Sequence, residues 1–432
     1  MKKMLMWKSI SCITLAMSCL SVTAAAYEDK LACTVDDAWF AQPFAPKKSA
    51  DEFSDASICN FHKFSWRTFL WLTEAEPNNK ARFDSLYSDL GIYPTAVTGH
   101  HVLGGVHQAG SNGIMVDQHG RAIYTTMMIN DLYRDFVIDH NLNTVAGMQS
   151  ADPTLNFPNG AMSLKASWKV VQPGEDSRNF YTQVMPLQLL SVDDGQVVIS
   201  DNAAIVNTKV ALVGFHIAVY VEDHPEAIWA TFEHKDNSPT FNQPQSPNKP
   251  VSDKNYTFYK AGSTAYDCNS NNSGKNAILQ LDETSQVMQN ITQACLQYPT
   301  GTVNNEPSEE KAKENLFNIN DLNKSVHSVM PASSVWQNYD EIGAVWFSKA
   351  NNLNPNWTPN VDASFLIGST KLSNTTIETF TQNERSADEC FACHNTMSVT
   401  DTPKNVPIIA GKNINTSHIL LKNYLNGSKV QR

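Results

Sequence analysis

The sequence predicts an α+β protein with a predominantly antiparallel β body, peripheral helices and a mainly helical C-terminal segment. Residues 163–170 alternate between polar and apolar side chains, which is the pattern of a half-buried strand. Residues 209–221 and 227–234 are strand-like runs, and the polar stretch between them predicts an antiparallel hairpin with a loop of about five residues. Helical character is confined to segments outside these strands, at 61–72, 129–142 and 417–425.

The first predicted helix, at 61–72, has the sequence FHKFSWRTFLWL. Its aromatic and apolar side chains point in all directions, which is typical of a buried helix. Asn60 is a suitable N-cap residue for it. Much later in the chain, residues 300–316 are polar and charged, which predicts a surface segment or linker.

The register of the predicted hairpin decides where its two histidines point. If residues 221 and 227 pair, His216 lies opposite Phe232 and His234 lies opposite Gly214. Both histidines then share one face of the sheet, beside a glycine that permits close approach. There they could supply an iron ligand, a proton relay or a pair of metal ligands, although hydrogen-bonded histidines without a chemical role are more common in sheets. A one-residue change of register would separate them.

Residues Cys390-Phe391-Ala392-Cys393-His394 form a CxxCH motif. Two thiols at this spacing can form thioether bonds with the two vinyl groups of one haem, and the following histidine can bind the iron. The motif therefore predicts a single covalent haem c on Cys390 and Cys393, with His394 as the proximal iron ligand. A redox disulfide or a zinc site is the alternative, but the segment has neither a βαβ pattern nor a second CxxC.

The first 26 residues have the features of a signal peptide. Lysines open the segment, a mainly apolar stretch covers 10–22, and alanines occupy 24–26. The apolar stretch is short for a membrane span. Cys19 raises the alternative of a lipid anchor, but the residues before it match a lipoprotein signal poorly. We therefore expect export to the bacterial periplasm and no membrane span.

The remaining chain divides by composition into two parts. Residues 27–362 are predicted to form the β-rich body, and residues 363–432 the segment that carries the CxxCH motif. The full chain has 432 residues and a formal net charge of −11. An acidic surface argues against nucleic acid as a partner. The sequence leaves open whether the partner is a redox protein or a small-molecule substrate, and the haem maturation machinery must act on the chain.

Four cysteines remain outside the leader and the motif, and an oxidising compartment favours disulfides between them. Four cysteines allow three connectivities. We favour Cys33–Cys59 and Cys268–Cys295, because these partners are close in sequence. A pair that stays reduced and buried is the alternative.

The hairpin and the motif together resemble a known group of proteins. VGFH at 213–216, HPEAIWATFEH at 224–234, KASW at 165–168, the leader and the late CxxCH are similar to bacterial exported c-type cytochrome family proteins. The resemblance covers most of the mature chain. It implies covalent haem on Cys390 and Cys393 with His394 as the proximal ligand, and it implies no particular activity.

The sixth iron ligand is left open by the sequence. Met397 follows the motif too closely to reach the opposite side of the ring, so an ordinary small carrier domain does not fit. His418 is the first candidate, and His216, His234, a methionine or an open position are the alternatives. Six strong ligands favour electron transfer. An open position favours a peroxidase-like oxidoreductase or a gas-binding protein.

Overall fold

The computed structural model describes most of the chain after residue 32. The described residues are 33–35, 37–40, 46, 57–77, 80–93, 102–200, 202–241, 246–272, 279–302, 309–362, 364–382, 390–401 and 406–430. The predicted signal peptide and Cys19 lie outside them. Within the described residues, no helix combines the length and the apolar character needed to cross a bilayer.

The described elements are helices at the periphery and strands that mostly join one sheet. The α-helices are α1 (Ile58–Thr73), α2 (Asp131–Asp139), α3 (Val145–Ser150), α4 (Glu309–Val329), α5 (Cys390–Cys393) and α6 (His418–Val430). The strands are β1 (Tyr87–Ser88), β2 (Tyr124–Ile129), β3 (Met162–Val170), β4 (Thr182–Gln188), β5 (Ser191–Asp193), β6 (Gln196–Val198), β7 (Ile205–Val221), β8 (His224–His234), β9 (Gln280–Asp282), β10 (Val287–Gln289), β11 (Tyr339–Phe347), β12 (Leu366–Gly368), β13 (Val399–Asp401) and β14 (Val406–Ile409).

The main sheet has eight strands in the order β1-β2-β3-β7-β8-β11-β12, and β4 also pairs with β7. All of its strand pairs are antiparallel. The predicted α+β class with a predominantly antiparallel body is therefore confirmed. The boundary predicted at residue 362 stays a prediction.

Helix α1 covers one face of this sheet and forms the main core with it. Phe69 stacks on Phe232 of β8 with ring centroids 4.3 Å apart, and Trp66 meets the same ring edge-on at 5.0 Å. These aromatic side chains are fully buried, as the apolar pattern of 61–72 predicted. The helix begins at Ile58 rather than after Asn60, because the Ser57 side chain accepts the Asn60 N–H and caps the first turn.

Helix α4 packs beside α1, and it overlaps the surface segment or linker that the sequence predicted at 300–316. The C-terminal part of the predicted linker at 300–316 belongs to this helix. Ile319, Leu322 and Val326 are fully buried, at a spacing that places them on one helical face. This apolar stripe lies C-terminal to the predicted segment. The helix from residue 309 contradicts the linker alternative, whereas the exposed Glu310 and Lys313 fit the surface-segment alternative.

The hairpin of β7 and β8 also differs from the expected register. Its turn has two residues, because Val221 pairs with His224, and a bulge follows in β8. His216 therefore lies opposite Thr231, and Gly214 lies opposite Glu233. This shift of one residue puts His216 and His234 on opposite faces, so the predicted pairing of the two histidines is wrong.

Both predicted disulfides are present. Cys33 is bonded to Cys59, and Cys268 is bonded to Cys295. The first ties the start of α1 to the chain that precedes it, and the second joins two loop segments beyond β8. Disulfides of this kind are typical of proteins that fold in an oxidising compartment.

Candidate functional site

The CxxCH motif forms the short helix α5, which is packed onto the second face of the sheet. Phe391 lies inside the motif and is fully buried, 5.0 Å from the Phe347 ring and 5.6 Å from the Trp357 ring. The His394 N–H donates to the Cys390 carbonyl at 2.8 Å, which continues the helical turn. The buried phenyl ring thus anchors the motif, while Cys390 and Cys393 both line a cavity.

The imidazole of His394 is held in one orientation. Its Nδ1–H donates to the Thr416 carbonyl at 2.8 Å, so Nε2 keeps the lone pair. Its ring centroid lies 4.0 Å from that of Trp229 and 3.7 Å from that of His418. Burial, and then the neighbouring His418, hold the pKa of His394 well below its usual value. A neutral imidazole with its second nitrogen bonded to a carbonyl is the usual form of an iron-binding histidine.

His418 is close to the motif, but it lies beside His394. The two rings are stacked with an angle of 22° between their planes. The His418 Nε2–H donates to the Cys393 carbonyl at 3.2 Å. A sixth ligand must lie across the haem plane from the fifth. His418 as the sixth ligand stays a prediction, and it requires the ring to leave this stack.

The cavity next to the motif has a volume of about 500 Å³. This is within the range of roughly 300–1,000 Å³ that is typical of ligand sites. It brings together most of the side chains that the sequence singled out. Its walls include Met127, Lys165, His216, Trp229, Leu372, Glu378, Cys390, Cys393, His394 and His418.

His216 reaches the cavity from the central strand β7. Its Nδ1 lies 2.6 Å from the Thr231 hydroxyl of β8, and its Nε2 lies 3.0 Å from Glu378 Oε2. Lys165 of β3 is its direct neighbour across the sheet. His216 is a candidate from the sequence alone, whereas Lys165 and Glu378 join it only in the folded structure.

Glu378 belongs to a threonine-rich segment, residues 372–382, that packs on the sheet and forms another cavity wall. Glu233 of β8 holds this segment, since its carboxylate accepts the Thr375 N–H at 2.6 Å and the Thr375 hydroxyl at 2.8 Å. Gly214 allows the close approach, because a Cβ there would lie 2.5 Å from a Thr376 methyl group. Burial raises the pKa of Glu233. The polar sequence of the segment concealed its buried position.

His234 lies on the other face of the sheet, away from the cavity. Its Nε2–H donates to the Asn179 carbonyl at 3.0 Å, and its Nδ1 accepts the Asp236 N–H at 3.1 Å. Its ring stacks on Phe180 with centroids 3.7 Å apart. Both nitrogens are therefore used in packing the fold, which is the common role of a histidine in a sheet.

The burial of His234 makes the stability of the folded protein depend on pH. Burial lowers its pKa to about 4, whereas an unfolded histidine has a pKa of about 6.5. The contribution of neutral His234 to the free energy of unfolding is therefore complete above pH 6.5. It is lost as the pH falls towards 4, and the total loss is about 3 kcal/mol. Urea unfolding at pH 7 and pH 4 should show a smaller loss in His234→Phe than in the wild type, by about that amount. Equal losses would contradict this assignment.

The expectation of a metal-binding group is wrong for the described residues. No cluster of three or more His, Cys, Asp or Glu side chains there is arranged to hold a metal ion. The carboxylates that the fold buries, such as Glu226 and Glu233, are used instead by neighbouring backbone N–H and side-chain groups. A metal centre made only of protein ligands, including the zinc alternative, is therefore not present in this part of the chain.

No protein-family model, curated protein or solved structure matches this chain. The resemblance to exported c-type cytochrome family proteins therefore rests on the sequence motifs alone. The function must be argued from the geometry of the cavity and the motif.

Proposed function

We propose that this chain is an exported c-type cytochrome with a redox role, most simply electron transfer. One haem c is attached covalently through Cys390 and Cys393, and His394 is its proximal ligand. The observation that carries the proposal is the Nδ1–H of His394 bonded to the Thr416 carbonyl, with both motif cysteines lining the same cavity. This combination presents two thiols and one oriented imidazole nitrogen to a single ligand.

The residues present fit a haem group. The cavity has apolar wall residues that suit a flat macrocycle, including Met127, Leu372 and Ile419. The macrocycle itself supplies the in-plane ligands of its iron, so the protein needs to add only an axial ligand. The lack of a cluster of three or more protein ligands among the described residues is therefore compatible with this cofactor.

The protein contributes position and protonation state. Thr416 fixes the tautomer of His394, while Trp229 and His418 pack against its ring. The low pKa that burial gives His394 keeps the imidazole neutral and able to bind iron at neutral pH. The bound haem supplies the one-electron redox chemistry.

Export to the periplasm is part of the proposal. Two disulfides support it, because they persist in oxidising compartments and are rare in the cytosol. Covalent haem attachment also requires the maturation machinery that acts after export. The proposed redox role also needs a partner that donates or accepts the electron, either a redox protein or a small-molecule substrate.

The test is covalent haem in the denatured protein. The full chain is produced in a bacterium that expresses the haem maturation machinery, and the purified protein is denatured and separated on a gel. We expect the protein band to stain for haem, and the native protein to have the absorption spectrum of haem c. A band without haem stain would overturn the proposed function.

A further inference from the structure

The sheet wall of the cavity carries a charged cluster that no haem ligand set requires. Lys165 and His216 are direct neighbours on β3 and β7, and Glu378 of the 372–382 segment faces them. Among the described residues, the Lys165 ammonium makes neither a hydrogen bond nor a close ion pair. Burial lowers the pKa of Lys165, and Glu378 offsets this only in part. The cavity therefore contains a cation that lacks a close partner.

His216 and Glu378 face each other beside Lys165 on the same wall. The His216 Nε2 and Glu378 Oε2 atoms are 3.0 Å apart, and both are shielded from solvent. Burial alone would raise the pKa of Glu378, but His216 and then Lys165 hold it below its usual value. Because His216 and Glu378 are occupied with each other, Lys165 is the group of the three that lacks a close partner in the described part of the chain.

Neither histidine that shares the cavity with His394 is arranged to bind iron opposite it. His418 is stacked on the His394 ring, and its Nε2–H is bonded to the Cys393 carbonyl. His216 has its Nδ1 against Thr231 and its Nε2 against a carboxylate. Both imidazoles are therefore engaged by other groups of the fold.

We propose that the cavity binds a small anion at the haem, with the Lys165 ammonium as its counter-charge and hydrogen-bond donor. The proposal rests on the proposed covalent haem, because the anion would share the cavity with the haem, and it favours the oxidoreductase or gas-binding form of the redox role over simple electron transfer. Its chemical class is a compact monoanion with exposed lone pairs, such as azide or nitrite. Hydrogen bonds to a charged group in a site shielded from water are the strong kind, which favours such a ligand over a neutral one.

Azide and carbon monoxide titrations of the haem-loaded protein test this. Azide is added to the oxidised protein and carbon monoxide to the reduced protein, and binding is followed by the visible spectrum. We expect the wild type to bind both ligands. Lys165→Met should weaken azide binding by about tenfold or more and leave carbon monoxide binding unchanged, since only azide is charged. Lys165→Arg should retain most of the azide affinity.

Lys254→Met is the matched control, because Lys254 is exposed and lies outside the cavity. It should bind azide as the wild type does. Unchanged azide affinity in Lys165→Met would overturn the proposal. A wild-type haem that binds neither azide nor carbon monoxide would overturn it as well, while covalent attachment would still stand. A chain without covalent haem would overturn the proposed function and this inference together.

Discussion

Replacement of both Cys390 and Cys393 by alanine is expected to abolish covalent haem attachment. Each thiol can form one thioether bond, and both cysteines line the cavity beside His394. Without them, any haem that enters is held only by its axial ligand and by packing. Denaturation should then release all of it, so the gel band of the double variant should lack haem stain.

Single variants and a neighbouring control make this test specific. Cys390→Ala and Cys393→Ala each keep one thiol and should retain some covalent haem. Met397→Ala is the control, because Met397 follows the motif closely but is 41% exposed. It should carry as much haem as the wild type. A haem-stained band from the double cysteine variant would show that another residue forms the bond, and the assignment of the motif would fail.

Local patterns in the sequence were sufficient to predict several features of the fold. The apolar run at 61–72 predicted α1, and alternation at 163–170 predicted β3, because helix and strand periods are local properties. The disulfides followed from cysteine spacing. The hairpin register could not be predicted in this way. A two-residue turn with a bulge in β8 differs little in energy from a longer turn, and composition does not distinguish them.

The candidate site was only partly predictable for a related reason. CxxCH is a contiguous motif, so its residues could be named from the sequence. Thr416, Trp229 and Lys165 join the site only through the tertiary fold, from three separate elements. Glu378 was concealed in a polar segment that tertiary contacts with Glu233 hold against the sheet. Residues that act through long-range contacts have no periodic signal.

The core on the opposite face of the sheet contains a buried polar group with a large expected effect on stability. His62 of α1 has its Nδ1 2.9 Å from Glu341 Oε1 of β11, and its Nε2 2.8 Å from Asn315 Oδ1 of α4. All three side chains are fully buried. The Asn315 amide nitrogen donates to the Gly301 carbonyl, so its oxygen accepts from His62. The group therefore joins two helices to the sheet, and each member depends on the others.

Glu341→Ala is expected to lower the free energy of unfolding by about 3–5 kcal/mol. The substitution leaves His62 in the core without its carboxylate partner, and an unpaired buried polar group costs more than the pair contributes. Burial raises the pKa of Glu341, which indicates how strongly this part of the core disfavours an isolated charge. Urea unfolding monitored by tryptophan fluorescence would measure the difference at pH 7.

A double variant separates the cost of the broken pair from the value of the pair itself. His62→Leu combined with Glu341→Met replaces the pair by apolar groups of similar size and leaves only the neutral Asn315 oxygen without its donor. The double variant should lose clearly less free energy of unfolding than Glu341→Ala does. Glu310→Ala, at an exposed position of α4, is the control and should stay within about 0.5 kcal/mol of the wild type. If Glu341→Ala were as stable as this control, the pair would not hold the helices to the sheet. If the double variant lost more than the single one, the three-residue group would itself stabilise the fold.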